Sequence, residues 1–91
     1  MGYKVVEFQD TPNPNALKCV LDRGISDGVV GMRSYQSEQA AGGDSLGRAL
    51  LGVPGVSGVL IQGEWVTVNK RAEAEWRGVK AGVKRVLGEA G

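Results

Sequence analysis

The chain has no histidine and a single cysteine, Cys19, among its 91 residues. Without histidine the sequence lacks the commonest general base, the commonest metal ligand and every pair of histidine with a serine or cysteine nucleophile. One thiol forms no internal disulfide, and by itself it completes neither a zinc site nor an iron–sulfur site. We therefore expect a protein that is not an enzyme, with no catalytic residue, no metal site and no cofactor.

Long apolar runs and an excess of charge are missing as well. No stretch approaches the ~18 apolar residues that would span a membrane, and the charged N-terminus does not resemble a signal peptide. Eleven basic residues against ten acidic ones, with two tryptophans, two tyrosines and one phenylalanine, argue against a nucleic-acid partner. We expect a cytoplasmic protein that binds neither membrane nor nucleic acid.

The composition is that of one globular domain. Hydrophobic residues make up 42% of the chain and charged residues 23%, which suits one modest core. A chain of this length has no room for a second core. The sequence therefore predicts a single domain over residues 1–91.

The first part of the chain predicts a β-hairpin. Residues 3–10 are rich in β-branched and aromatic side chains, which favours a strand. The sequence TPNPN at 11–15 forms a rigid turn, because proline fixes φ and asparagine caps nearby backbone amides. Residues 16–22 alternate between two faces, with Cys19 on the inward one.

The middle of the chain predicts a weak strand, a loop and a short helix. The strand is expected over 29–35 and a poorly ordered loop over 36–43. Asp44 is a good N-cap residue, and apolar residues recur after it at helical spacing until Pro54.

A second hairpin follows, with a two-residue turn at 63–64 that begins with glycine. Such a turn pairs Ile61 with Val66 and Val59 with Val68, so these four residues share one face of the hairpin. From residue 72 to residue 89 the period is helical again, and an inward stripe holds Trp76, Val79, Val83, Val86, Leu87 and Ala90.

These elements predict an α+β fold of two layers, in the order ββ(β)αββα. Two helices cover only one face of a four- or five-stranded sheet that is built largely from hairpins. The other face is expected to be open. By the alternation along the strands, the open face carries Val5, Lys18, Val20, Leu60, Gln62, Trp65 and Thr67.

An apolar group on the open face is one candidate for binding a protein partner. It consists of Trp65, Leu60 and Val20, with Lys18 beside them. Tryptophan is enriched among the residues that dominate interface energetics. Two alternatives stay open: a loop or a terminus folds over this face, or a second copy of the chain covers it in a homodimer.

The TPNPN turn is a second candidate, through the side chains of Thr11, Pro12, Asn13 and Asn15. Its amides and free carbonyls can face solvent and a partner. The alternative is that proline and asparagine are needed there only for the shape of the turn.

Two other features have simple structural explanations beside a functional one. Cys19 is expected to be a small core residue, with a redox or interchain role as the alternative. Arg77, Lys80 and Lys84 lie on one flank of the last helix, where they either dock an acidic partner or form a solvated helix face.

Four segments together resemble the N-terminal domain of NifU-like (Nfu) iron–sulfur scaffold proteins. The segments are TPNPNALK at 11–18, DSLGRALLGVPGV at 44–56, EWVTVNK at 64–70 and AEWRGVK at 74–80. The resemblance covers nearly the whole chain and implies the same two-layer fold. It also implies a role near iron–sulfur cluster assembly.

In the scaffolds that the chain resembles, a Cys-x-x-Cys motif in a separate C-terminal domain holds the cluster. We expect this chain to be a standalone N-terminal domain, a protein-binding accessory of iron–sulfur assembly or repair that holds no cluster. The implied partners belong to the iron–sulfur assembly machinery. The alternative is a structural interaction domain, a homodimer or a binder of an unrelated protein, without an iron–sulfur role.

Overall fold

A computed structural model describes residues 2–25 and 31–90. Within them the five strands form one antiparallel sheet in the order β1-β2-β5-β4-β3. The elements are β1 (Val5–Asp10), β2 (Ala16–Leu21), β3 (Arg33–Tyr35), α1 (Glu38–Ala41), α2 (Ser45–Leu51), β4 (Val56–Gln62), β5 (Trp65–Lys70) and α3 (Trp76–Glu89). The predicted α+β fold of two layers is confirmed, with one short helix more than expected.

The hairpin of β4 and β5 forms the centre of the sheet, and its predicted register is confirmed. Ile61 pairs with Val66, and Val59 pairs with Val68. The turn between the strands places Gly63 at φ +53°, a backbone conformation that glycine adopts without steric cost. Because the turn fixes the register, Val59, Ile61, Val66 and Val68 share the buried face of this hairpin, and Leu60 and Trp65 lie on the other face.

The buried face of the sheet and the helices enclose a single core. The strands contribute alternate residues, and each helix contributes its inward side chains. The most deeply buried side chains are those of Leu50, Ile61, Leu87, Val59, Val66, Val68, Val79, Val83 and Cys19.

Helix α1 lies where the sequence predicted only a loop over 36–43, so that prediction was wrong. The Ser37 hydroxyl accepts a hydrogen bond from the Ala40 amide at 3.1 Å and caps the helix. Ala41 is buried in the core, and Gly42 ends the helix at φ +54°. A capping serine followed by alanines was therefore the signal for one helical turn.

Of the strand expected over 29–35, the structure shows β3, which is three residues long. Residues 29 and 30 lie outside the described residues. Arg33 and Tyr35 are both in register with inward residues of β4, so their side chains reach the helix side of the sheet.

Asp44 joins β3 to the start of α2 and is the N-cap that the sequence predicted. Its Oδ1 accepts a hydrogen bond from the Gly47 amide at 3.0 Å. Its Oδ2 accepts one from Arg33 Nη1 at 2.6 Å and one from the Tyr35 hydroxyl at 2.8 Å. The Arg33 and Asp44 side chains are each 7% exposed, so the ion pair is buried.

The surroundings of Asp44 act on its pKa in opposite directions. Burial raises it, whereas the hydrogen bonds from Gly47 and Tyr35 and the charge of Arg33 lower it. The net result is a pKa below the ordinary value of 3.8. Asp44 is therefore ionised over the whole neutral range and holds the Arg33 guanidinium in place.

Helix α3 begins at Trp76, four residues later than the sequence predicted. Residues Arg71 to Ala74 form a turn instead, closed by a 3.0 Å hydrogen bond from the Ala74 amide to the Arg71 carbonyl. Val79, Val83 and Leu87 are buried as predicted. Within the described residues no helix has the length and apolar character needed to cross a membrane.

Replacing Val68 with alanine should destabilise the fold by about 1–3 kcal/mol, because it opens a cavity beneath the helices where Val68 is 0% exposed. Thr67→Ala is the matched control, since the half-buried Thr67 lies on the opposite face of the same strand. Its loss in free energy of unfolding, measured by urea denaturation, should be well below that of Val68→Ala. Equal losses would contradict the face assignment.

Asp44→Asn should destabilise the protein at pH 7 by on the order of 3 kcal/mol, because asparagine still caps α2 but leaves the buried Arg33 charge uncompensated. The folded pKa of Asp44 lies below its ordinary value of 3.8. Its stabilising contribution is therefore present above that pH and is lost as the pH falls through the folded pKa. Urea denaturation between pH 7 and pH 2 should show a smaller decline for Asp44→Asn than for the wild type. Parallel declines would assign the acid sensitivity to other carboxylates.

Candidate functional site

The structure brings together the four residues predicted to form a patch on the open sheet face. Val20 is in register with Trp65, and Lys18 is in register with Thr67 on the adjacent strand. Leu60 pairs with Thr67 from the other side. Since cross-strand partners share a face, these side chains form one surface opposite the helices. We refer to Trp65, Leu60, Val20 and Lys18 as the open-face patch.

Lys18 and Trp65 form a specific contact within the open-face patch. The Lys18 ammonium lies 4.6 Å from the centroid of the Trp65 ring. This distance is that of a cation–π interaction, and the aliphatic part of the lysine covers apolar surface beside the ring. Both residues are half-buried. The patch is therefore an apolar surface with one positive charge beside the tryptophan ring.

Val5 was predicted on the open face, and this was wrong. A bulge between Val5 and Glu7 shifts the register of β1 against β2. Val5 consequently lies opposite Leu21 and packs against the core. Glu7 and Gln9 pair with Val20 and Lys18 instead, so they form the border of the open-face patch.

The TPNPN turn uses its polar groups mainly to hold its own shape. The Thr11 hydroxyl lies 2.9 Å from the Asn13 carbonyl oxygen and accepts a hydrogen bond from the Asn13 amide at 3.2 Å. The Asn13 side-chain oxygen accepts one from the Asn15 amide at 2.9 Å. Pro12 is exposed. These contacts favour the structural role that was the alternative for this turn.

Two side chains from distant parts of the chain fasten the turn. Lys70 Nζ donates to Asn15 Oδ1 at 3.1 Å, and Trp76 Nε1 donates to the Pro14 carbonyl at 3.1 Å. Trp76 is half-buried and packs against the core, in agreement with its predicted position on the inward stripe. An indole N–H usually has a hydrogen-bond partner when its ring is partly buried, so such a bond was to be expected for Trp76.

The two candidate sites are separate from each other. The turn meets β5 at Lys70, whereas the open-face patch lies around Trp65 at the other end of the same strand. At the usual rise per residue, the Cα atoms of these two residues are about 17 Å apart. A small ligand bound at Trp65 therefore does not reach the turn at Lys70.

Cys19 lies on the core side of β2 and is 1% exposed. Burial raises the pKa of its thiol to about 12, although the charge of Lys80 acts in the opposite direction. The thiol is thus protonated and enclosed at neutral pH, whereas nucleophiles and metal ligands need the thiolate. Across residues 2–25 and 31–90 no three side chains of histidine, cysteine, aspartate or glutamate are grouped as metal ligands would be.

Comparison with protein families identifies a match over nearly the whole chain. Residues 6–91 match the family described as the N-terminal domain of scaffold protein Nfu/NifU. Similar curated proteins include an NFU1 iron–sulfur cluster scaffold homolog, mitochondrial, from Drosophila erecta, which is 32% identical over 90% of this chain. A NifU-like protein of Schizosaccharomyces pombe is 29% identical over 92% of the chain.

The matched relatives are longer proteins. The chain spans 29% of the Drosophila protein, 32% of the Schizosaccharomyces pombe protein and 22% of the uncharacterized protein YpgR of Bacillus subtilis. A solved structure of similar length has the same fold. The crystal structure of protein SAV1430 from Staphylococcus aureus matches with a TM-score of 0.74 and 23% identity, covering 91% of this chain and 96% of that one.

Proposed function

We propose that this chain, which belongs to the family of Nfu/NifU scaffold N-terminal domains, is a non-catalytic protein-binding module of iron–sulfur cluster assembly or repair. It holds a partner of the assembly machinery and does not itself hold a cluster. The relatives that are named as iron–sulfur cluster scaffolds support the connection with this process.

The state of the one cysteine supports a role without a cluster. Iron–sulfur clusters are bound through thiolates, and Cys19 is enclosed in the core with its pKa raised to about 12. Its backbone is paired with β1 on one side and β5 on the other. To reach iron, the thiol would have to leave a central strand and open the core, which disfavours a ligand role.

The open-face patch is the observation that carries the proposed binding role. All three helices contribute to the core on the opposite face of the sheet. On the open side, Trp65 and Leu60 present apolar surface with the Lys18 ammonium beside them. An aromatic anchor next to one charge is the kind of group that dominates the energetics of protein interfaces.

Anaerobic incubation of the purified chain with iron and sulfide should give a colourless protein without bound iron, because the only thiol is buried and protonated. Absorption spectroscopy and iron analysis after desalting are the measurements. Cys19→Ala is the control and should behave like the wild type. A stoichiometric cluster that disappears in Cys19→Ala would overturn the proposal and indicate a cluster shared between chains.

Trp65→Ala should weaken capture of the partner by about 2 kcal/mol, roughly 30-fold, because it removes the aromatic anchor of the open-face patch. Its effect on the free energy of unfolding should be smaller than that of Val68→Ala. The immobilised chain would be incubated with extract of its source cells, and recovered assembly proteins would be quantified by mass spectrometry.

Val6→Ala is the matched control for this experiment, since Val6 is 56% exposed on the edge strand and lies outside the open-face patch. It should recover the same proteins as the wild type. If Trp65→Ala melts the protein while each folded molecule still binds, Trp65 is a structural residue and the patch is not the binding surface. If Trp65→Ala instead abolishes self-association of the purified chain, the patch is a homodimer interface.

A further inference from the structure

The outer surface of α3 carries four cations that form no ion pair with the part of the chain that the structure describes. Arg77, Lys80, Lys84 and Arg85 spread over about 140° of the helix at 100° per residue. Within residues 2–25 and 31–90 no carboxylate forms an ion pair with any of them. The chain as a whole has a net charge of +1, so the positive charge is concentrated on this helix.

Two of these cations are held together over one aromatic ring. The ammonium of Lys80 lies 5.0 Å from the centroid of the Phe8 ring, and that of Lys84 lies 5.5 Å from it. Lysines four residues apart on a helix repel each other, and the ring partly offsets this cost through cation–π attraction. A carboxylate placed between the two ammonium groups would remove the repulsion.

A groove with a mainly apolar floor lies between α3 and the turn at Pro54, on the side of Arg77 and Arg85. Its volume is about 880 Å³. Its floor includes Pro54, Val79 and Gly78, and the charged side chains at its rim are Arg77, Arg85 and one carboxylate, Glu75. A Cβ atom added to Gly78 would meet nothing within 4 Å, so the packing of the chain does not require glycine there. Glycine in mid-helix is unfavourable, and here its absent side chain keeps the groove open.

We propose that the outer surface of α3 binds an acidic amphipathic segment of a protein partner. Carboxylates of the segment meet Arg77, Lys80, Lys84 and Arg85, and its apolar side chains enter the groove beside Gly78. This assignment follows from charge complementarity together with the adjacent apolar floor. The surface lies on the helix side of the sheet, opposite the open-face patch, so the inference does not depend on the proposed role of Trp65.

A nucleic acid fits this surface less well. Base stacking on single strands needs exposed aromatic rings, and the ring that Lys80 and Lys84 contact, that of Phe8, is half-buried. Trp76, at the start of the same helix, is half-buried as well. A phosphate backbone would use the cations but not the apolar groove. An acidic peptide uses both.

The test uses a fluorescein-labelled helical peptide with glutamates on one face and leucines on the other, titrated with the intact chain and followed by anisotropy. The peptide should bind, with amide NMR shifts concentrated on residues 77–85. Gly78→Met fills the groove and Arg77→Glu with Arg85→Glu reverses its rim; each variant should weaken binding about tenfold or more. Gly78→Met should fold at least as stably as the wild type, because methionine favours the helix more than glycine does.

Gly88→Met and Arg48→Glu are the matched controls. A Cβ atom added to Gly88 would also meet nothing within 4 Å, and Gly88 lies outside the groove. Arg48 is an exposed arginine on α2. Both controls, and Trp65→Ala, should bind the peptide as the wild type does. No binding, equal weakening by the controls, or tighter binding of a single-stranded oligonucleotide of equal charge would each overturn the proposal.

Discussion

The register of the β4–β5 hairpin is the constraint on which the rest of the structure depends. These two strands occupy the middle of the sheet, so β3 pairs with one of them and β2 with the other. A turn longer or shorter by one residue would move Val66 and Val68 to the solvent side and Trp65 and Thr67 into the core. Gly63, at φ +53°, therefore determines which residues form the core and which form the open-face patch.

The division into two faces also places the only thiol and the open-face patch on opposite sides of the sheet. Cys19 is in register with Phe8 on one side and Val66 on the other, among residues of the core. Lys18, the next residue along the same strand, points to the open face and stacks on Trp65. A strand that buries the only thiol therefore carries a cation on the open face, because successive residues of a strand point to opposite faces.

The sequence was sufficient for features that depend on local periodicity. The register at Ile61 and Val66 follows from a two-residue turn and alternation, and Asp44 was identifiable as an N-cap from its position before a helical pattern. The partners of Asp44 were not predictable, because Arg33 and Tyr35 reach it only after β3 has docked against β4. The hydrogen bond of Trp76 was not predictable for the same kind of reason. Its stripe position predicted packing against the core, whereas its indole N–H donates to the carbonyl of Pro14, 62 residues away in sequence.

Helix α3, like β2, divides its residues between a core face and an outer face. It does so with a period of 3.6 residues instead of two. Val83 and Leu87 are buried in the same core as Cys19, and the charge of Lys80 is close enough to act on the thiol. The outward residues of the helix collect the cations that no carboxylate of the described chain neutralises. A substitution on the outer face of α3 therefore changes the surface charge without opening the core, and one at Trp65 acts on the opposite side of the sheet. The core and the sheet lie between the two surfaces, so we expect that each surface can be altered without changing the other.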